Sequence, residues 1–429
     1  MARGTLSIRS SAIVNFVIGG ASALTGVLVA RWLGPSDRGQ LAVVLAWFSV
    51  ALPLGELGMP IGVTYFSARH PRAVKFILMS STWIVLGLGL FTSLVVSLLA
   101  RSIDSDHSDY SALGSLMLLI PLGMISGLPS FILQSVSVSR WNFLRSLQPM
   151  LFLVFLIIWH ARDSISLGST LLVYALTLVI TFVVGYIMVF FGGSQSHSLL
   201  PSSLTSGNER PKASAILRFG ISSWPASIPG AISSRVDVLV LSSFVASAAV
   251  GQYAVSVTLA GISQAFVSAV AALSLPLVAS LTRDPDVTQL RQLAWSSLKE
   301  TLLVVVVVGG ITAICVPWVV ALLLGSAYPE VPTLVRFLLL AQPGAAIALV
   351  LRSLLRGAGA PSRATVPEWV SFAILLALVA CLAPLAGVVG VSLAVVGSSW
   401  VAAGAYGIAW YRFLANKSAL EKASPCSSS

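Results

Sequence analysis

Long apolar runs, interrupted by short polar segments, extend over most of the 429-residue chain. A helix needs about 20 apolar residues to cross the roughly 30 Å hydrocarbon layer of a membrane. By this criterion the sequence predicts an all-α polytopic membrane protein with about twelve transmembrane helices. The predicted spans are 12–32, 40–67, 76–100, 111–139, 146–160, 165–191, 215–244, 250–281, 294–324, 331–356, 364–385 and 387–411. The first span is long enough to cross, so we predict an uncleaved helix rather than a signal peptide.

Glycine and proline mark where these runs turn or bend. Between the first two spans, "ARWLGPSDRGQLAV" (residues 30–43) predicts a turn, and "APLAGVVG" (residues 383–390) predicts a tight hairpin between the last two. Two prolines in "WPASIPG" (residues 224–230) predict a kink in the seventh span, because proline removes a helical hydrogen bond. In the second span, prolines on both sides of Glu56 predict a local opening of the helix.

A short motif occurs twice, as "RGQLAV" (38–43) and "VGQYAV" (250–255), each time at the start of a long span. Together with a Ser-rich polar segment, this repeated motif predicts two six-helix lobes. The predicted division is an N-lobe (1–192, helices 1–6), a cytoplasmic linker (193–214), a C-lobe (215–411, helices 7–12) and a cytoplasmic tail (412–429). An even number of helices per lobe makes the repeats parallel, as in many transporters. The alternative is one undivided bundle with accidental echoes.

Composition supports a membrane location and limits the kinds of binding partner that we expect. The chain is 57% hydrophobic and 9% charged, whereas soluble domains carry about 25% charged residues. A net charge of +11 is compatible with a nucleic-acid partner. Most basic residues, however, lie at the ends of predicted spans on the same side of the membrane as the N-terminus. This positive-inside bias predicts cytoplasmic N- and C-termini in a cytoplasmic or inner membrane, with no nucleic-acid partner. The exceptions are Arg31, Arg38, Arg101 and Arg162.

Nothing in the sequence indicates catalysis. There is no P-loop, the three cysteines lack metal or disulfide spacing, and the four histidines are scattered through loops. We therefore predict no cofactor, no metal site and no enzyme activity.

Charged residues inside a span are costly and usually face a cavity or a partner. Three such residues stand out, Glu56, Arg235 and Asp237, and we predict that they line a substrate cavity. The two acids are also candidates for ion coupling. For each residue the alternative is a structural pair with another helix.

Further polar candidates are Asn15 in the first span and Gln134 in the fourth, where Gln134 belongs to a stripe with Ser126, Ser130 and Ser137. The alternative for the stripe is close helix packing by small residues. Arg352 and Arg356 lie one turn apart and would attract a diphosphate as paired donors. Their alternative role is that of anchors at the cytoplasmic end of the tenth span.

A first helix carrying Asn15, followed by "RWLGPSDRGQLAV", "LGMPIGVTYFSAR" (57–69) and "RVDVLVLSSFVASAAVGQYAVS" (235–256), resembles the polysaccharide and lipid-linked oligosaccharide flippases. These belong to the multidrug/oligosaccharidyl-lipid/polysaccharide (MOP) exporter superfamily, and the resemblance covers most of residues 8–281. It implies a MATE-like fold of two six-helix lobes and alternating access. It also implies that the substrate is a polyprenyl-diphosphate-linked oligosaccharide, moved from the cytoplasmic to the outer leaflet.

The expected partners are therefore the lipid bilayer, the lipid-linked oligosaccharide, and a polysaccharide polymerase with its chain-length machinery. A rival function is an ion-coupled multidrug-type antiporter of the same fold. An antiporter would be expected to have intramembrane acids in excess over bases, whereas Glu56, Asp237 and Arg235 are mixed.

Overall fold

The computed structural model describes residues 2–103, 110–192, 210–262, 264 and 287–423. Within these ranges the fold is all-α, with no β-strand. The helices are α1 (Ala2–Gly55), α2 (Met59–Arg69), α3 (Val74–Ile103), α4 (Tyr110–Gly114), α5 (Leu116–Val136), α6 (Val138–His160), α7 (Leu167–Phe191), α8 (Ala213–Ser223), α9 (Ile228–Ser233), α10 (Val236–Ser242), α11 (Ser247–Ala260), α12 (Val287–Leu323), α13 (Val331–Leu339), α14 (Gln342–Gly357) and α15 (Pro361–Ala423).

In the described part of the chain, 8 helical segments are long and apolar enough to cross a membrane. Two of them, with 42 and 58 residues, are far longer than one crossing needs. Each consists of two helices, because α1 is interrupted at Gly34 (φ 75°, ψ 174°) and α15 at Gly387 (φ 51°, ψ −127°). Both interruptions need a positive φ, which glycine adopts readily. They fall within the two predicted turns, which are thereby confirmed.

Several predicted spans are represented by shorter helices, among them 331–356, which corresponds to α13 and α14. The segment 215–244 corresponds to α8, α9 and α10, which are separated by short breaks. The segment 250–281 corresponds to α11 in its first part, and most of its remainder lies outside the described residues. Residues 193–209, which make up most of the predicted linker, also lie outside the described residues.

The fifth transmembrane helix begins earlier than its predicted start at residue 146. Ser137 is extended (φ −155°, ψ 102°) and separates α5 from α6, which starts at the next residue. The early turns of α6 carry polar residues, so hydropathy alone excluded them from the span. The helix accommodates them, since Asn142 is buried and the Arg145 guanidinium lies 4.3 Å from the centre of the Trp141 ring.

The chain forms two compact units, Met1–Ala254 and Val255–Ser429. Each unit has its own apolar core. Fully buried residues at the centre of the first include Met59, Ile77 and Ile120. The second has Leu354 and Leu355 at its centre. The predicted lobe boundaries at 193–214 stay a prediction.

Large apolar side chains also cover the outside of the long helices. Examples are Trp83, Phe91, Trp318 and Leu322, each with about two thirds or more of its surface exposed. In water such a surface would be unfavourable, whereas lipid chains solvate it. The outer faces therefore fit the hydrocarbon layer.

The two copies of the repeated motif meet in the first unit. A Cβ atom on Gly39 would collide with the carbonyl oxygen of Ser247, and a Cβ atom on Gly251 would collide with the carbonyl oxygen of Pro35. The contact is reciprocal, since each glycine faces the backbone beside the other. Near it, Arg38 is buried, whereas Arg31 at the start of the same turn is exposed.

Candidate functional site

The second predicted span is broken at Glu56. Helix α1 ends at Gly55 and α2 begins at Met59, and between them Leu57 and Gly58 both have positive φ (47° and 73°). The predicted local opening of this helix is thus confirmed. Glu56 is 7% exposed, and its carboxylate makes no hydrogen bond or ion pair with the described residues.

The break in the second span packs directly against α8. A Cβ atom on Gly58 would collide with the carbonyl oxygen of Gly220, and one on Gly220 would lie 2.9 Å from the carbonyl oxygen of Gly58. The two backbones approach this closely because neither residue has a side chain.

The same two segments are joined by a hydrogen bond. A helix that ends early leaves carbonyl groups without their usual donors. The indole Nε1–H of Trp224 donates to the Pro53 carbonyl, at 3.0 Å. Trp224 is therefore a hydrogen-bonding partner of the broken helix.

The seventh predicted span is broken twice. A 3₁₀ turn, Trp224–Ala226, separates α8 from α9, and an irregular step at Arg235 (φ −148°, ψ 0°) separates α9 from α10. The kink predicted from Pro225 and Pro229 is confirmed. In membranes, irregular backbone is tolerated where it is buried in protein or lines a cavity.

The second break creates a helix N-terminus beside Asp237. The Asp237 side chain is buried at 9% exposure, and its Oδ1 accepts from the backbone N–H of Val238 at 2.8 Å. Its Oδ2 accepts from the hydroxyl of Tyr253, which is completely buried, at 2.6 Å. Backbone N–H groups at a helix start stabilise a carboxylate. The partner of Asp237 is thus Tyr253 of the "GQYAV" motif.

Arg235 has a different environment from Asp237. Its side chain is exposed, and in the described part of the chain it forms no salt bridge. Its positive charge lies within electrostatic range of Asp237, Tyr253 and Tyr174. The guanidinium is therefore an available cation beside a polar cluster.

Tyr174 of α7 packs between two aromatic rings. The rings of Phe48 and Phe152 pack edge-on against it, with centroid separations of 5.6 and 5.3 Å. We name Arg235, Asp237 and Tyr253 the polar cluster of the first unit.

Asn15 and Gln134 do not join this cluster by a hydrogen bond. Asn15 is half-buried on α1 and Gln134 is exposed on α5. The hydroxyl of Ser126, from the same predicted stripe as Gln134, donates to its own helix at the Gly123 carbonyl, at 2.9 Å. The cavity roles of Asn15, Glu56, Gln134, Arg235 and Asp237 stay predictions.

Arg352 and Arg356 belong to the second unit, where both contact Glu368. Arg352 Nη1 lies 3.1 Å from Glu368 Oε1, and Arg356 Nη2 lies 3.5 Å from Oε2. One carboxylate against two guanidiniums leaves a net positive charge, so their attraction for phosphate stays a prediction alongside a structural role.

Sequence reasoning missed two partners of the candidate residues, Glu368 and Tyr253. Glu368 is an acid at the edge of an apolar run, and Tyr253 lies inside the repeated motif, so both carried a signal.

The long helices with apolar outer faces define a multi-pass membrane protein, and its architecture is MATE-like. An inward-facing multidrug resistance MATE family transporter of the MOP superfamily has a TM-score of 0.75 at 15% identity, over 96% of this chain and 99% of that chain. The outward-facing conformation of such a transporter has a TM-score of 0.65 at 15% identity, over 97% of each chain. A MOP superfamily transporter from Pyrococcus furiosus, described as having a binding pocket of reverse polarity that suggests a different function, has a TM-score of 0.65 at 14% identity over 96% of each chain.

At the level of sequence, residues 3–282 match the family described as polysaccharide biosynthesis protein. The chain belongs to this family, within the MOP superfamily. No curated protein sequence matches it significantly. The fold is that of the MATE transporters.

Proposed function

We propose that the protein moves a polyprenyl-diphosphate-linked oligosaccharide from the cytoplasmic to the outer leaflet of the cell membrane by alternating access. The observation that carries the proposal is the exposed guanidinium of Arg235, which lies in the predicted seventh span, two residues from the buried and hydrogen-bonded Asp237. An accessible guanidinium suits an anionic diphosphate, because guanidinium–phosphate pairs are strong and often bidentate. Membership of the polysaccharide biosynthesis family supports the same substrate class.

The lipid tail and the polar head group of the substrate need different environments. The polyprenyl tail stays in lipid at no cost, whereas the diphosphate and sugars must be shielded from hydrocarbon. Arg235 would bind the diphosphate, and Asn15, Glu56 and Gln134 would contribute polar groups along the path. Arg352 and Arg356, with net positive charge around Glu368, would attract the diphosphate at the cytoplasmic side.

The proposal also includes the setting. Both termini would be cytoplasmic in the cytoplasmic or inner membrane, and the partners would be a polysaccharide polymerase and its chain-length machinery.

A second candidate function is ion-coupled export of a drug-like cation. The observations in its favour are the buried carboxyl groups of Glu56 and Asp237 and the MATE-like fold. Carboxyl groups of this kind bind protons or sodium in exchange for a cation.

Transport assays with purified protein in liposomes distinguish the two candidate functions. The substrate is a radiolabelled polyprenyl-diphosphate-linked disaccharide, and its arrival in the opposite leaflet is read by a glycosidase that cannot cross the membrane. We expect Arg235→Ala to lower the rate by about ten- to a hundredfold, since a hydrogen bond to a charged group contributes about 1.5–3 kcal/mol. Arg235→Lys keeps the charge but not the planar fork, so it should retain part of the activity.

The matched control is Arg291→Ala, which removes another exposed arginine from the start of α12. Full activity of Arg235→Ala in a folded protein would overturn the role of this residue. Ion-driven efflux of a cationic dye that survives Arg235→Ala and is lost in Asp237→Asn would instead establish the antiporter.

A further inference from the structure

We infer that one end of the first unit, where α2 ends and α3 begins, binds the phosphate groups of anionic phospholipids in the adjacent leaflet. Helix α2 ends at Arg69, α3 starts at Val74, α7 ends at Phe191 and α8 starts at Ala213. Because successive spans run in opposite directions, these termini lie at the same end of the unit. The inference does not depend on which substrate the protein carries.

Contacts between aromatic and basic side chains connect these helix termini. The Tyr65 ring of α2 stacks on Phe219 of α8, with centroids 4.5 Å apart. The Lys75 ammonium of α3 lies 5.9 Å from the centre of the Phe190 ring of α7. We define the basic surface as the exposed cations of this end, which are Arg69, Arg72, Lys75, Arg210, Lys212 and Arg218.

Cations of the basic surface contact aromatic rings. The Arg69 guanidinium donates a hydrogen bond to the Tyr65 hydroxyl and lies 5.9 Å from the centre of that ring. The Arg210 guanidinium lies 5.7 Å from the centre of the Phe76 ring. Neither these two arginines nor Lys75 forms a salt bridge with a described residue. A ring face attracts a cation without neutralising it, so the positive charge stays available to a ligand.

The described acids of the first unit lie away from the basic surface. They are Asp37 and Asp163, in the connections at the opposite end, and Glu56 and Asp237, within the spans. Glu209 precedes Arg210 in the sequence and lies outside the described residues. Even with this carboxylate, the six cations leave this end strongly positive.

Exposed cations at a membrane surface suit the phosphate groups of lipids. Lys and Arg lay their apolar stems along hydrocarbon and hold their charged ends at the interface, where they donate charge-assisted hydrogen bonds to phosphate oxygens. Each basic residue near an anionic membrane surface raises the affinity about fivefold. Because the cations come from the ends of three helices, they suit several head groups of the leaflet better than a single diphosphate.

The rival explanation is that these charges only orient the protein during membrane insertion and contact no particular lipid afterwards. The chain offers a matched control, because Arg31 and Arg162 are also exposed and lie at the opposite end of the same unit. Replacing both removes as much charge as replacing Arg69 and Lys75.

The test measures how phosphatidylglycerol raises the unfolding temperature of the purified protein in neutral detergent, since a lipid that binds the folded state stabilises it. We expect stabilisation by phosphatidylglycerol but not by phosphatidylcholine or inorganic phosphate. Arg69→Gln with Lys75→Gln should weaken the apparent affinity about 10- to 30-fold. Arg31→Gln with Arg162→Gln should leave it unchanged, and Arg69→Lys with Lys75→Arg should retain most of it.

Each shift is measured from the lipid-free unfolding temperature of the same variant, so a general loss of stability does not count as lost binding. Equal stabilisation by the neutral lipid or by inorganic phosphate, or equal weakening in the two Gln double variants, would overturn the inference. Stabilisation by a short-chain polyprenyl diphosphate instead of phosphatidylglycerol would also overturn it, and would assign the basic surface to the transported lipid. None of these results changes the transport test of Arg235.

Discussion

Two residues only two positions apart in the chain, Arg235 and Asp237, are held in opposite ways. Asp237 is buried and receives hydrogen bonds from the Val238 backbone and the Tyr253 hydroxyl, so its oxygens are already occupied. Arg235 is exposed and has no ion pair among the described residues. The break in the helix between Ser233 and Val236 produces this difference. Asp237 is thus held by its hydrogen bonds, whereas the Arg235 side chain is exposed.

Replacing Tyr253 tests how much the buried Asp237 depends on its partner. Tyr253→Phe leaves Asp237 Oδ2 without that donor, and a buried polar atom without its partner costs about 1–3 kcal/mol. We expect a lower free energy of unfolding, measured by thermal or denaturant unfolding in detergent. The control is Tyr411→Phe, at a side chain that is 71% exposed, which should change little. Equal effects of the two variants would contradict this account.

At the residue scale, the sequence predicts charges better than partners. Glu56, Arg235 and Asp237 are recognisable because a charge in an apolar run is unusual. The Tyr253 partner of Asp237 and the Glu368 partner of Arg352 depend on which helices pack together. No local pattern contains that information.

Among the elements, the second and seventh spans are both broken helices, and they are broken where they meet. The prolines around Glu56 and those in "WPASIPG" predict each break separately, but not that Trp224 of one hydrogen-bonds Pro53 of the other. For α6, in contrast, the sequence predicts a helix that is too short. Its first turns are too polar for a hydropathy criterion, and they are helical because their polar groups are packed.

Trp224→Phe tests whether this link between the two broken helices is important. The substitution keeps an aromatic ring but removes the only donor to the Pro53 carbonyl identified within the described residues. We expect a loss of about 1–3 kcal/mol in unfolding free energy. Trp83→Phe makes the same chemical change at a side chain that is 70% exposed and should be nearly neutral. A Trp224→Phe protein as stable as the Trp83→Phe protein would show that the bond contributes nothing.

For the whole molecule, hydropathy and turn residues predict the all-α polytopic fold, since each crossing satisfies its backbone internally. The positive-inside bias further predicts the orientation, although the fold alone does not distinguish one side of the membrane from the other. Lobe boundaries are harder to predict, because they depend on packing between distant segments.

Cysteine labelling in intact cells tests the orientation. In a variant without native cysteines, Ser36→Cys lies in the first turn, which we predict to be external, and Ser296→Cys lies near the start of α12, which we predict to be cytoplasmic. Both serines are exposed. A thiol reagent that cannot cross the membrane should label position 36 in intact cells and position 296 only after permeabilisation. The reverse pattern would place both termini outside.

The reciprocal contact of Gly39 and Gly251 has an evolutionary consequence. Each glycine leaves room for the backbone beside the other. The two positions therefore cannot vary independently, because a side chain on either one collides with the backbone next to the other. Related sequences should therefore keep or lose the two glycines together.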